Sequence, residues 1–430
     1  MLPPSRQIAT QIIQNLGQYG TPLSGGVGYY NVGTESLLEA LDKHYLSSYL
    51  PEGGAVFKLV VGDYGSGKSH FLYCVRERAW ARRFAVSKVD LSPQECPYDD
   101  QKKVYSAVAK ALIWHDADTS DSEMIRGLAP FLDRLLQSIV EPLGAALGTT
   151  EAAELDEVQA LQRSFNNTPI DNISYRYAIS HYLSAALYGN AAQKDLLARW
   201  LHGEDLSTAD MRELKTLGVT QKMTRTNAFQ MLRSLSQTVR ALGFNGLCLL
   251  FDEVDRLMSL TRRAMTAITD NLREVIDRTR EDLPGTLFIY AVLPQFVSDI
   301  VPSYPALQQR LQVQMRRYFS LTNPFSPQIN LDHLDLPEDE LLVKIAERLR
   351  GIFETAYNTR LNATLQTENA RHLALAALRT LSGISHRRIF IKALIGEWYH
   401  QMQTGESALS DSQAEAIIGS GTREVDGTSY

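Results

Sequence analysis

The run Gly62-Asp63-Tyr64-Gly65-Ser66-Gly67-Lys68-Ser69 combines the residue types that hold a polyphosphate. Its spacing is G-x-x-x-x-G-K-[ST], in which glycines let backbone N–H groups close on phosphate oxygens with no Cβ between them. Lys68 is placed to reach the β- and γ-phosphates, and the Ser69 hydroxyl to ligate Mg2+. His70 continues the run, and a helix starting here turns its positive end toward the same anion. A second chemical pair, Asp252-Glu253, ends the apolar run Gly246-Leu247-Cys248-Leu249-Leu250-Phe251. Asp252 suits support of Mg2+, directly or through water, and Glu253 suits orientation and polarisation of an attacking water. Alone, the two acids could simply solvate a strand end. Paired with the glycine loop, they describe binding and hydrolysis of a nucleoside triphosphate.

Strands must deliver both groups to one edge. Val56-Phe57-Lys58-Leu59-Val60-Val61 is apolar and β-branched, and it ends where the glycine loop begins. His70-Phe71-Leu72-Tyr73 reads as the helix start beyond the loop. Residues 84–91 alternate as a second strand with Asp90 near its end, and 247–251 have the continuous apolar character of a strand covered on both faces. Residues 286–292 predict a fourth strand and 328–331 a short fifth. The strand behind the loop and the strand tipped by the acids are expected side by side. The fold class is therefore α/β: a P-loop NTPase of the ASCE/AAA+-like type (parallel sheet flanked by helices) with a large helical insertion and a C-terminal helical lid.

Helical periodicity divides the rest of the chain. Residues 1–50 form an N-terminal helical segment, with Ile8, Ile12, Ile13 and Leu16 on one face and a second helix over 37–49. The stretch between them could pack under an adenine ring or form a plain hairpin. The ATPase core spans 51–99 and 243–330. Residues 100–242 are a helical insertion without a convincing strand, with helices over 102–111, 124–147, 152–165, 175–187 and 226–242. The lid, 331–403, has helices over 338–353, 369–381 and 387–402, the last preceded by Gly383. Residues 404–430, rich in Ser, Gly, Thr and acids, read as a flexible tail. In an AAA+-like arrangement a neighbour's arginine reaches the γ-phosphate, which requires at least a homo-dimer. Arg310, in a helix over 304–311, is the candidate finger, and Arg387 or Arg388 is the candidate phosphate sensor from the lid.

Composition narrows the partners. A net charge of −6 carries no global signature of a nucleic-acid binder, so DNA contact would need a local basic groove. Arg76, Arg78, Arg82 and Arg83 around Trp80, and Arg316-Arg317 beside Tyr318-Phe319, interleave base-stacking and phosphate-binding types. The plainer reading of both clusters is solvated helix faces and strand-end packing. Cys74, Cys96 and Cys248 lack metal-ligand spacing, which argues against a zinc site or disulfide framework and for a reducing compartment. No apolar run approaches a membrane span, so a cytoplasmic, soluble protein with no membrane contact is expected.

The P-loop with its tail, Gly62-Asp63-Tyr64-Gly65-Ser66-Gly67-Lys68-Ser69-His70-Phe71-Leu72, resembles that of the BrxC/BrxD ATPase family of BREX phage-defence systems. The resemblance extends to Val32-Gly33-Thr34-Glu35, to Arg199-Trp200-Leu201-His202-Gly203 and Leu217-Gly218-Val219, and to Gly243-Phe244-Asn245-Gly246. It continues into Asp252-Glu253-Val254-Asp255 and Tyr304-Pro305-Ala306-Leu307-Gln308-Gln309-Arg310-Leu311, and so covers most of residues 5–400. The length suits the shorter, BrxD-like members. The resemblance implies an ATPase using ATP and Mg2+ in a multi-gene antiviral system, commonly encoded beside a helicase, with that helicase, other defence proteins and DNA as partners. The choice of ATP over GTP rests on this resemblance.

One departure bears on turnover. AAA+-type enzymes usually end the fourth strand in a polar residue facing the γ-phosphate or the water. Here Ala291-Val292-Leu293-Pro294 is apolar, and Gln295 is the first polar side chain. Either Gln295 substitutes or hydrolysis is slow, and the slow case describes a nucleotide-gated scaffold that recruits defence partners.

Overall fold

A computed structural model describes residues 3–94, 96–114, 126–254, 262–279, 283–313, 318–380 and 386–426. The chain opens with α1 (Arg6–Tyr19), capped by the Ser5 side chain, and α2 (Glu35–Leu41), which runs on as a wider helical turn to Tyr49. β1 (Ala55–Val61), α3 (Lys68–Ala81) and β2 (Phe84–Asp90) follow. The inserted stretch holds α4 (Gln101–Ala111), the two-residue β3 (Leu112–Ile113), α5 (Leu128–Val140), α6 (Thr150–Glu154) and α7 (Asp156–Asn167). It continues with α8 (Ile173–Leu187), α9 (Ala191–Leu201), α10 (Thr208–Thr216) and α11 (Ala228–Ala241). Next come β4 (Gly246–Asp252), α12 (Arg262–Arg278), β5 (Thr286–Val292), α13 (Pro305–Leu311) and β6 (Gln328–Asn330). The chain closes with α14 (Glu338–Tyr357), α15 (Ala363–Thr380), α16 (His386–Thr404) and α17 (Asp411–Asp426).

The strands form one sheet in the order β3-β2-β4-β5-β1-β6, parallel except for β3. β5 therefore stands between the P-loop strand β1 and the acid-tipped strand β4, which corrects the expectation that those two are neighbours. An extra strand at this place is the arrangement of the ASCE/AAA+-like P-loop fold. The register aligns Val61 with Val292 and Asn330, and Asp90 with Asp252, so the carboxyl ends of β1, β2, β4, β5 and β6 share one edge. Ligands of open parallel sheets bind at that edge.

Alternation along the strands builds two cores. Phe57, Leu59, Leu249, Phe251, Phe288 and Tyr290 face the inserted helices α4–α11, together with α12 and α13. Val60, Val86, Cys248, Leu250, Ile289 and Ile329 face α1–α3 and the C-terminal helices. β4 and β5 are buried at every position because both faces are covered.

Several sequence expectations change. The insertion does contain a strand: β3 pairs antiparallel with Val86 and Ser87, and two residues are too few to show alternation. α9 and α10 join the expected helices, and α10 carries a reciprocal cap between Ser207 and Asp210. The expected flexible tail contributes α17, whose Ala414 and Ile418 are 0% exposed. Its polar composition hides an i, i+4 apolar pair, and Leu409 N–H is fixed by Asn369 Oδ1 at 2.8 Å. Gly383, ahead of the third lid helix, lies outside the described residues.

Candidate nucleotide site

The ladder between β1 and β5 runs one residue into the glycine loop, where Gly62 N–H donates to Val292 O at 3.2 Å. Asp63 N–H donates to both carboxylate oxygens of Asp332, at 3.1 and 3.2 Å. At Gly62 a Cβ would stand 2.3 Å from Ser66 Oγ and 3.1 Å from Ser66 Cβ, so a side chain there would displace Ser66 from the closed turn. Gly67, at φ +94°, lies in the left-handed region and starts α3. Lys68 Nζ donates to the carbonyls of Gly62 and Asp63 at 2.8 and 2.9 Å, and lies 5.6 Å from the Tyr64 ring centre. The loop is thus folded around its own ammonium, at the N-terminus of a fourteen-residue helix.

The acids arrive from β4. Asp252 is 3% exposed; its Oδ1 accepts Glu253 N–H at 3.0 Å, and its Oδ2 lies 3.2 Å from Lys88 Nζ. Burial works against the Lys88 charge, but Asp252 and Asp90 outweigh it and hold the ammonium above its ordinary pKa. Glu253 has φ +59°, a conformation that costs a non-glycine residue about 1 kcal/mol or more and persists only where its surroundings impose it. Strain at the first residue past the strand turns the chain out of the sheet, at the edge where the loop begins. A hydroxyl and a buried carboxylate are the hard oxygen donors that Mg2+ prefers, and Asp252 already balances a cation. Ser69 and Asp252 therefore fit Mg2+.

The chain ends complete the site. Arg387, at the start of α16, donates through Nη1 to Ser66 O in the glycine loop, and forks onto Glu338 at 2.6 and 2.9 Å. Burial opposes the Glu338 charge, yet hydrogen bonds from His386 and Arg387 bring its pKa down to about 2. Arg388 turns the other way and donates to Tyr19 O at 2.8 Å, tying the lid to the end of α1. Asn31 Oδ1 accepts from Thr34 at 2.7 Å and meets His70 Nε2 at 3.2 Å, linking the stretch before α2 to the P-loop helix. Burial, then Arg387, lowers His70 to about 4, so it is a neutral spacer at physiological pH.

These segments enclose a cavity of about 270 Å3. Tyr64 to His70, Asp252, Glu253, Arg387 and Arg388 line its polar side. Leu16, Pro22, Val32, Leu341, Ile345 and Ile391 line an apolar side that suits a flat base. The structure therefore brings together every nucleotide-site candidate of the sequence except four. Gly62 and Asp63 brace the loop from behind and do not line the cavity. Arg310 faces a separate, larger concavity of about 910 Å3, beside Tyr318 and His333, with its guanidinium forked onto Asp277 at 2.5 and 2.9 Å. Gln295 is exposed past the end of β5 and does not line the nucleotide cavity.

Four supporting residues escaped the sequence reading: Asp332, Glu338, Lys88 and Asn31. Only Glu338 carried a local signal, as the first helical residue after Pro337. The basic cluster after the P-loop is divided between the interior and the surface, with Arg78 and Arg83 exposed. Arg76 is buried against the Tyr73 and Trp80 rings at 4.7 and 4.3 Å, and Arg82 is paired with Asp42 at 2.8 Å. Phe319 is buried, while Arg316 and Arg317 lie outside the described residues, as does Asp255. No helix among the described residues is long and apolar enough to cross a membrane.

Among curated proteins, none matches the chain. Among solved structures, it is similar to the Aeropyrum pernix ORC2 protein in its ADPNP-ADP complexes. That match has 13% identity and a TM-score of 0.41, and covers 93% of this chain and 74% of the other. A family model described as BREX system ATP-binding protein BrxC/D matches residues 5–412. With a phosphate loop, an acid-tipped strand and a lid arginine around one cavity, the chain belongs to the BrxC/D family of BREX system ATP-binding proteins.

Proposed function

We propose that this protein hydrolyses ATP as a motor or switch in cytoplasmic antiphage defence, working with a helicase or other defence partner on DNA. The observation that carries the reading is the convergence of Lys68, Glu253 and Arg387 on one cavity from three separate parts of the chain. Ser69 and Asp252 would hold Mg2+, which would supply charge neutralisation to the phosphate oxygens. Lys68 exchanges its two loop carbonyls for those oxygens. Glu253 orients a water and accepts its proton as the water oxygen bonds to the γ-phosphorus and the bond from that phosphorus to the β–γ bridging oxygen breaks, releasing ADP. Arg387 couples the phosphate loop to the lid, and Arg310 serves the γ-phosphate of a neighbouring copy, which fits its place outside this chain's own cavity.

Steady-state ATP turnover across protein concentrations, with and without DNA, tests this reading in wild type and Glu253→Gln. Turnover that rises with protein concentration and is lost in the variant, with ATP still bound, is expected. Undiminished turnover in Glu253→Gln would overturn it.

A second reading has one observation in its favour: β5 ends in Val292-Leu293-Pro294, and the exposed Gln295 does not line the cavity. A nucleotide-gated scaffold needs no group there. Partner affinity that depends on the γ-phosphate, without measurable turnover, identifies that case.

A further inference from the structure

Beneath the phosphate site a lysine stands beside the carboxylate assigned to Mg2+. Lys88 lies on β2, where Lys88 pairs in register with Leu250 and Asp90 with Asp252. Its side chain is 11% exposed, and its Nζ lies 5.0 Å from the Tyr73 ring centre on α3. From there Nζ reaches two carboxylates, Asp252 Oδ2 at 3.2 Å and Asp90 Oδ1 at 2.5 Å. Asp252 is nearly enclosed and its other oxygen is taken by Glu253 N–H, whereas the Asp90 side chain is 61% exposed.

We infer that Lys88 is a resident counter-cation of the magnesium carboxylate, one that weakens Mg2+ binding at Asp252 and withdraws toward Asp90 when the metal is taken up. The inference rests on the ATP–Mg2+ reading of the site. A buried carboxylate left without a positive partner is costly, and Lys88 supplies that partner in the absence of metal. The same ammonium repels a divalent ion on the same carboxylate, because like charges a few ångströms apart interact strongly where water is largely excluded. Mg2+ alone is then a poor competitor for Asp252, and loading is favoured when nucleotide phosphates add their own oxygens. Asp90 makes the exchange feasible, since Lys88 keeps a carboxylate partner on either side of it. An ordinary ion pair tying β2 to β4 would predict none of this.

The test is the Mg2+ dependence of equilibrium binding of a fluorescent ATP analogue to the full chain, with melting temperature recorded alongside. Lys88→Met should lower the half-saturating Mg2+ concentration by about ten-fold, while binding of the analogue in EDTA stays as in wild type. Lys88→Arg should stay close to wild type. Asp90→Asn, which leaves Lys88 only Asp252, should raise the half-saturating concentration by about three-fold. An unmoved or raised midpoint in folded Lys88→Met overturns the inference. If Lys88→Met does not fold, an unmoved or lowered midpoint in Asp90→Asn overturns it equally. Failure of wild type to bind the analogue at any Mg2+ concentration overturns the ATP reading and this inference together, whereas binding with unmoved midpoints overturns the inference alone.

Discussion

The two faces of the sheet are covered by chain of opposite origin. One face is packed mainly by the contiguous stretch 101–241, whose helices meet Phe57, Leu249, Phe251 and Tyr290 and whose interior holds Tyr105, Tyr175 and Trp200. The other is covered by α3 and, around it, by the two ends of the chain, α1–α2 and α14–α17. Chemistry gathers on the second. Arg387 reaches the carbonyl of Ser66, Arg388 that of Tyr19, and Arg6 that of Ala356, each across more than 300 residues of sequence. A face assembled from distant segments by a few polar contacts can respond to a ligand lying between them, whereas a continuous apolar core resists local change. On the proposed ATP reading, the insertion face is expected to be the support and the face completed by the chain ends the part that answers nucleotide.

Substitutions on the two faces should separate binding from stability. The largest effect is expected for Lys68→Ala, which should lower ATP affinity by more than about a hundred-fold, by calorimetry, with little change in melting temperature. Trp200→Ala should do the reverse. Trp200 is 2% exposed and donates Nε1–H to Gln221 O at 3.0 Å, so its loss should cost about 3–5 kcal/mol in denaturant unfolding. Nucleotide affinity of the remaining folded fraction should hold, and a large loss of affinity there would break the division between the faces. Arg387→Ala should weaken ATP binding by about ten-fold and increase hydrogen exchange at the glycine loop and at the start of α16. Unchanged exchange at both would show that the lid is not coupled to the loop.

The smallest effect concerns pH. Glu338 is held at about 2 against an ordinary 4.5, so the folded state binds its proton less readily than the unfolded state does. Its contribution is complete above about pH 4.5 and is lost as pH falls toward 2. Glu338→Gln should flatten that part of the acid-unfolding curve, and a curve identical to wild type would remove the Glu338–Arg387–His386 cluster as a support of the lid.

Much of this was legible in the residues themselves. The loop at 62–69, the acids at 252–253 and four of the five parallel strands read directly, because each is a local pattern with a local cause: glycine spacing, continuous apolarity, alternation. β6 appeared as a short candidate, and β3 was hidden because a two-residue strand has no period. α17 was hidden because Ala414 and Ile418 acquire meaning only against the lid helices that bury them. Arg387 and Arg388 were equal candidates by position, and the helix phase of α16 separates them by sending one to the loop and the other to α1.

The sequence by itself determined the residue types available for chemistry, the glycine loop at 62–69 and the acid pair Asp252-Glu253, and which family the chain resembles. Tertiary structure alone decided the strand order that sets β5 between β1 and β4, the ion partners Lys88 and Glu338 and the loop acceptor Asp332, and the closing of one cavity by both chain ends. The reason is range. Backbone turns and strand periods are set by neighbours a few residues apart, whereas a buried charge is balanced by whichever opposite charge the packing brings within about 4 Å, and no local pattern records where that charge comes from.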